Sequence, residues 1–194
     1  MAAKLVPTPA QTVGPFFALG LDRPEWSNLT RNNPDGERIV IEGRVIDGDG
    51  TPVPDALLEL WQANAAGRYD HIADEQTAKK LDPNFLGYGR AATDSEGRFH
   101  VKTIKPGPVP GRGNALQAPH ISVAFFARGL LKQLYTRIYF ADEPANATDP
   151  LLSGIEDATA RQSLIARRNE AGGTPSYRFD IVLQGKDETA FLDI

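Results

Sequence analysis

Proline and glycine interrupt this chain before any long regular element can form. Fifteen prolines and eighteen glycines are spread along 194 residues instead of being gathered into a few linkers. Proline removes a backbone donor, and glycine raises the entropic cost of ordering, so both punctuate secondary structure. Between them lie short runs rich in β-branched and aromatic residues. That alternation predicts many short strands joined by turns, and the length suits one domain.

The first such run, Arg38 to Asp47, reads as a strand closed by the turn residues Asp47-Gly48-Asp49-Gly50. Ala56 to Ala63 also favours helix by composition, but its short length and the flanking Pro52, Pro54 and Gly67 select a strand. Further strands are predicted at Tyr88–Ala92, Arg98–Ile104, His120–Phe126, Leu134–Phe140 and Tyr177–Leu183, with a hairpin turn at Asp94-Ser95-Glu96-Gly97. One helix is predicted over Asp157–Arg168, with Leu164 and Ile165 on one face and Arg167 and Arg168 placed to suit the C-terminal dipole. Residues 1–37 are broken by Pro7, Pro9, Gly14, Pro15, Gly20, Pro24, Pro34 and Gly36 and form an extended arm, which must pack on its own core or on a partner. The expected fold is all-β: an antiparallel β-sandwich over residues 38–194, with an extended N-terminal arm and one short helix near the C-terminus.

Composition removes several functions. A net charge of −4 provides no basic footprint, so nucleic acid is not an expected partner. The absence of cysteine excludes disulfides, thiolate zinc sites and cysteine nucleophiles. Met1-Ala2-Ala3-Lys4-Leu5-Val6-Pro7 lacks the apolar run of a signal peptide, and no stretch is long enough to span a bilayer, so no membrane and a cytoplasmic location are expected. Asn28-Leu29-Thr30 and Asn146-Ala147-Thr148 match the glycosylation pattern and read, without a secretory route, as chance. No HExxH, P-loop or Ser-His-Asp signature is present, and Gly107, Gly111 and Gly113 lack the strand-turn-helix setting of a phosphate site.

Two side chains suggest metal chemistry. Tyr69 could supply a phenolate, a hard oxygen donor suited to ferric iron, and His120 an imidazole to accompany it. A phenol titrates near pH 10 and must lose its proton to bind, a loss that an adjacent cation can drive. The other histidines have plainer readings: His71 shares a side with Tyr69 if the chain there is extended, and His100 sits in an alternating strand as a surface or half-buried residue.

The surroundings of these residues carry a resemblance. Leu60-Trp61-Gln62-Ala63-Asn64, Gly67-Arg68-Tyr69, Asp82-Pro83-Asn84-Phe85, Thr93-Asp94-Ser95-Glu96-Gly97, Thr103-Ile104-Lys105-Pro106-Gly107-Pro108, Ala118-Pro119-His120-Ile121 and Tyr177 to Leu183 together resemble the intradiol ring-cleaving dioxygenases. The resemblance resumes in the arm at Thr12-Val13-Gly14-Pro15-Phe16 and is strongest to the branch that cleaves protocatechuate with two kinds of subunit. It implies ferric iron held by two tyrosines and two histidines in a catalytic subunit. On this chain those positions fall on Tyr69, Val109, His120 and Ser122, and a helping arginine of the catalytic subunit falls on Gln117. Two of the four donors are missing, so the resemblance implies a degenerate site, no metal on this chain and no catalytic residue of its own. It further implies that Fe(III) sits on a homologous beta subunit, on which the arm packs, and that Thr12, Gly14, Pro15 and Arg128 line that partner's pocket for a small aromatic substrate. A guanidinium suits the carboxylate of such a substrate.

Two other readings fit parts of the chain. Gly43 to Ala56 with Thr93 to Phe99 also suits a transthyretin-like or carboxypeptidase-regulatory-like binding module, which would not require Trp61-Gln62-Ala63-Asn64 or Ala118-Pro119-His120. A self-sufficient dioxygenase with altered ligands would have to recruit Glu59, Asp70 or His71.

Overall fold

The structure, a computed structural model, describes residues 6–111, 113, 115–169 and 173–193, so the first five residues of the arm lie outside the description. Its strands are β1 (Arg38–Ile46), β2 (Leu57–Trp61), β3 (Tyr88–Ala92), β4 (Arg98–Ile104), β5 (Val109–Pro110), β6 (Leu116–Gln117), β7 (His120–Phe126), β8 (Leu134–Phe140), β9 (Ile165–Asn169), β10 (Ser176–Arg178) and β11 (Ile181–Val182). The main sheet runs β3-β2-β7-β8-β9-β10-β1-β4, with β11 extending β1's pairing beyond β10. The terminal strands β3 and β4 are consecutive in the chain, so the sheet curls almost into a barrel.

Several expectations need correction. Asp94–Gly97 does form a turn, with the Gly97 N–H donating to the Asp94 carbonyl at 2.9 Å, but it joins strands that pair elsewhere: β3 with β2, β4 with β1. No hairpin ladder results. The sheet is also mixed, because β1 runs parallel to β10 and β11, and β8 parallel to β9. Between β8 and β9 lie the helices α2 (Pro150–Gly154) and α3 (Ala158–Ser163), a crossover long enough to return the chain in the same direction.

The predicted helix is half the expected length. Asp157 caps α3 by accepting from Thr159 N at 2.7 Å, but after Leu164 the chain becomes β9. There Ile165 and Ala166 pair with Tyr139 and Phe140, and this ladder overrides local helix propensity. The arm, too, contains a helix, α1 (Pro15–Leu21), which Pro15 starts from the position where proline's missing donor costs nothing. Tyr177–Leu183 splits in two, because the Asp180 carboxylate accepts from Arg44 N at 2.9 Å and takes over a bond of the ladder.

Strand alternation builds the interior. Ile39, Ile41 and Val45 of β1 meet Phe99 and Val101 of β4, Leu58 and Leu60 of β2, and Ile121, Val123 and Phe125 of β7 in one core. A smaller cluster of Ala118, Tyr139, Leu152 and Leu164 lies beside α2. The second half of the arm belongs to this body: Leu29 is fully buried, donating to Lys102 O at 2.9 Å and accepting from Leu86 N at 2.8 Å. Residues 6–20, including Phe16 and Leu19, stay largely exposed.

Gly43 lets the chain after β10 cross close over β1, since a Cβ there would run into the Phe179 carbonyl and the Phe99 ring. Gly43→Ala is therefore expected to destabilise the fold by about 2 kcal/mol, the usual scale of overpacking, read as a lower urea midpoint with unchanged slope.

Candidate functional site

The loop that carries Tyr69 is organised by Asn64. Its Oδ1 accepts from Ala66 N and Arg68 N at 3.0 Å each, its Nδ2 donates to Lys80 O at 2.9 Å, and its backbone carbonyl accepts from both Gly67 N and Gly107 N at 2.9 Å. The last bond draws the Tyr69 loop against the segment leading into β5. Gly67 and Gly107 are needed at this contact: a Cβ on the first would strike Pro108 O, and on the second Ala65 O. Gln62, buried one turn earlier, donates to Ile104 O at 3.0 Å and accepts from the Thr103 hydroxyl at 2.7 Å, tying β2 to the end of β4. Tyr69 itself lies in this loop and not in a strand.

The Tyr69 ring stacks on Trp61 with centroids 5.5 Å apart and planes 9° from parallel. Together with Val109, Pro110, His71 and Gln76 the pair lines a cleft of about 520 Å³. Burial raises the Tyr69 pKa above that of a free phenol; Arg137 pulls it back and Asp74 pushes it further up. His71 is exposed at the rim, edge-on to Trp61 at 6.3 Å, with Nδ1 accepting from Ala73 N at 3.1 Å. The bent chain after Tyr69 replaces the extended one that would have aligned the two. His100, on β4, is exposed as expected.

His120 and Ser122 project from the face of β7 opposite Ile121 and Val123. His120 is 3% exposed, and its Nδ1 is 2.7 Å from Ala118 O, which makes that nitrogen the protonated one. Ser122 stands opposite Arg137 of β8 on one side and Trp61 of β2 on the other. Arg137 Nη1 donates to Gln117 Oε1 at 2.6 Å and to the Tyr139 hydroxyl at 3.3 Å. Tyr139 in turn donates at 3.1 Å to Asp149, a buried carboxylate that also accepts from Ala118 N, Leu151 N and Leu152 N. Val109 is 3% exposed and pairs with Gln117 across β5 and β6.

Tyr69, Val109, His120 and Ser122 thus converge on one corner, but their chemistry does not fit ferric iron. Valine offers no donor, serine offers a neutral hydroxyl, and the charge of Arg137 reaches both surviving donors. Glu59, considered as a recruit, is engaged by Arg90 at 2.7 Å and by the Tyr88 hydroxyl.

The other expected residues assemble elsewhere. The Thr12 hydroxyl accepts from Gly129 N at 2.7 Å, and Phe17 packs against Phe126 with centroids 5.3 Å apart, so the arm is seated at the far end of β7. Arg128 is exposed there and pairs with Asp55 at 2.9 Å. Gly14 caps α1 and Pro15 begins it, both on the surface. A seven-residue strand spans about 20 Å from its first residue to its last, so this cluster and the His120 corner are separate.

Sequence reasoning missed Arg137, Tyr139 and Asp149. Alternation shows that Arg137 and Tyr139 share a face of β8. Only strand register brings that face beside Ser122 and His120, and Asp149 reads simply as a helix cap.

The "Dioxygenase" family model matches residues 14–185. The chain is 42% identical to the protocatechuate 3,4-dioxygenase alpha chain of Pseudomonas putida, with all of both chains covered. It is 46% identical to the beta chain of the Burkholderia cepacia enzyme, over 93% of this chain and 77% of that one. Among solved structures it is similar to the dioxygenase domain of a carbohydrate-binding fusion protein from Streptomyces sp. SirexAA-E. That match has 29% identity and a TM-score of 0.63, over 93% of this chain and 100% of that chain.

Burial, aided by the Arg137 charge, takes the His120 pKa down to about 4. An unfolded histidine titrates near pH 6.5, so on acidification the unfolded state takes up its proton first. Stability is full above about pH 6.5 and falls by roughly 3 kcal/mol as pH drops through that window. In His120→Gln this part of the fall should vanish. Urea unfolding at pH 7 and pH 4.5 checks it: equal losses in both proteins would refute the assignment.

Proposed function

This chain belongs to the intradiol ring-cleavage dioxygenase family, whose members depend on iron, and we propose that it is the non-catalytic alpha subunit of a protocatechuate 3,4-dioxygenase. Its partner is a homologous beta subunit that retains both tyrosines and both histidines and holds Fe(III). The assembled enzyme cleaves protocatechuate with dioxygen to 3-carboxy-cis,cis-muconate in the cytoplasm. Iron on the partner supplies Lewis-acid activation of the catechol. This chain binds and orients.

The observation that carries the reading is the separation of the two clusters along β7. Thr12, Arg128 and Asp55 lie at the opposite end of the strand from Tyr69 and His120, so Arg128 cannot serve a centre on its own chain. Its exposed guanidinium suits a carboxylate arriving from outside, and a ligand that displaced the Asp55 contact would find a charged, forked donor. Phe16, Leu19 and Leu131, at 83%, 76% and 64% exposure, give that region the apolar character of a surface meant to be covered. The arm over 1–37, in its exposed first half, is the element that packs on the partner. The binding-module alternative has less to stand on. Gln62 and Asn64, which it does not require, build the loop that carries Tyr69.

Purified alone, this chain should be colourless, inactive and free of stoichiometric iron; co-purified with the beta subunit it should give an active complex. Stoichiometric iron in the isolated chain would overturn the assignment. In the complex, Arg128→Ala should remove a charge-assisted contact of about 1.5–3 kcal/mol and weaken apparent affinity for protocatechuate roughly ten- to a hundredfold. Iron content and assembly should not change. Catechol lacks the carboxylate, and its turnover should respond far less; equal losses on both substrates would exclude the carboxylate role.

A further inference from the structure

We propose that the guanidinium of Arg137 has taken the metal's place in the degenerate corner of this chain, and that it excludes iron together with the two missing donors. The inference rests on reading Tyr69, Val109, His120 and Ser122 as the family's ligand positions.

Strand register relates one side chain to both positions. The β7–β8 register sets Arg137 directly opposite Ser122, where cross-strand neighbours have their Cβ atoms about 5 Å apart. The other end of its reach is Gln117, whose Oε1 accepts from Nη1 at 2.6 Å, and Gln117 is the cross-strand partner of Val109. The guanidinium thus runs from the position of the absent histidine toward that of the absent tyrosine. It is held there by a second contact, to Tyr139, which the buried Asp149 anchors.

Its charge is permanent, since an arginine does not lose its proton in a protein. No carboxylate pairs with it among the described residues, whereas Arg90 and Arg168, also half-buried, carry acidic partners. Its neighbours are instead the neutral oxygens of Gln117 and Tyr139. Register keeps this charge beside the His120 end of β7: Tyr139, which Arg137 contacts, is the cross-strand partner of His120. The chain itself thus supplies a cation to this corner. A metal ion entering beside it would meet a like charge in a half-buried setting, where screening by water is weak.

The test compares iron uptake by Val109→Tyr/Ser122→His with uptake by the same protein carrying Arg137→Met or Arg137→Lys. Each is expressed as the full chain without a beta subunit, so that the only iron measured is its own. Metal analysis and the visible tyrosinate band are the readouts. Restoring donors alone should leave the chain binding iron at least about tenfold more weakly than when Arg137→Met is added, and Arg137→Lys, which keeps the charge, should behave like the donor pair alone. Equal uptake with and without Arg137→Met would overturn the proposal, as would no uptake in any variant. A single substitution guards against failure of the multiple variants to fold. Cupric ion, the tightest-binding first-row divalent ion on nitrogen and oxygen donors, should raise the Tm of Arg137→Met more than that of the wild type. The excess should disappear when His120→Gln is added; no excess would count against Arg137. Neither substrate nor partner iron enters these readings, so the alpha-subunit assignment is decided separately by the Arg128 experiment.

Discussion

Asp149 is a carboxylate buried out of reach of water, and four donors make it tolerable there: Ala118 N, the Tyr139 hydroxyl, Leu151 N and Leu152 N. An unsatisfied charge in such a place would cost several kcal/mol, so these four groups must stay where they are. In one stroke the carboxylate fixes the approach to β7, the start of α2 and the ring of Tyr139. Through Tyr139 it sets Arg137, and through Arg137 it sets Gln117. The electrostatics of the whole corner therefore descend from one helix cap.

The motifs that identify the family turn out to be mostly scaffold. Gln62, Asn64, Gly67, Thr103 and Gly107 clamp the Tyr69 loop onto the segment that follows β4. Asp94 likewise accepts from Glu96 N and Arg98 N to make its turn. A scaffold built this way does not need the metal to stand. The corner is held by these backbone contacts with Val109 and Ser122 in place.

β7 then divides the chain's roles. Its first residues, His120 and Ser122, belong to the corner that also holds Arg137 and Tyr139, and the segment just past its last residue presents Gly129 to the arm and Arg128 to Asp55. A rigid paired strand keeps the two apart by about 20 Å.

Much of this was legible in the residues. The boundaries of β1, β3, β4, β7 and β8 follow from β-branched runs between turn residues, because the period-2 burial they encode is local. The ordered fragments from Trp61 to His120 were enough to place the family. The sequence alone could not reveal that β1 would run parallel to β10, that the helix from Asp157 would stop at Ser163, or that the arm would contain one. Those outcomes depend on which distant backbone is available to pair, and propensity carries no information about it. Nor could it reveal Arg137, whose importance lies wholly in register. One residue's slip in the β7–β8 pairing would turn the guanidinium to the other face, and only the folded sheet decides which face that is.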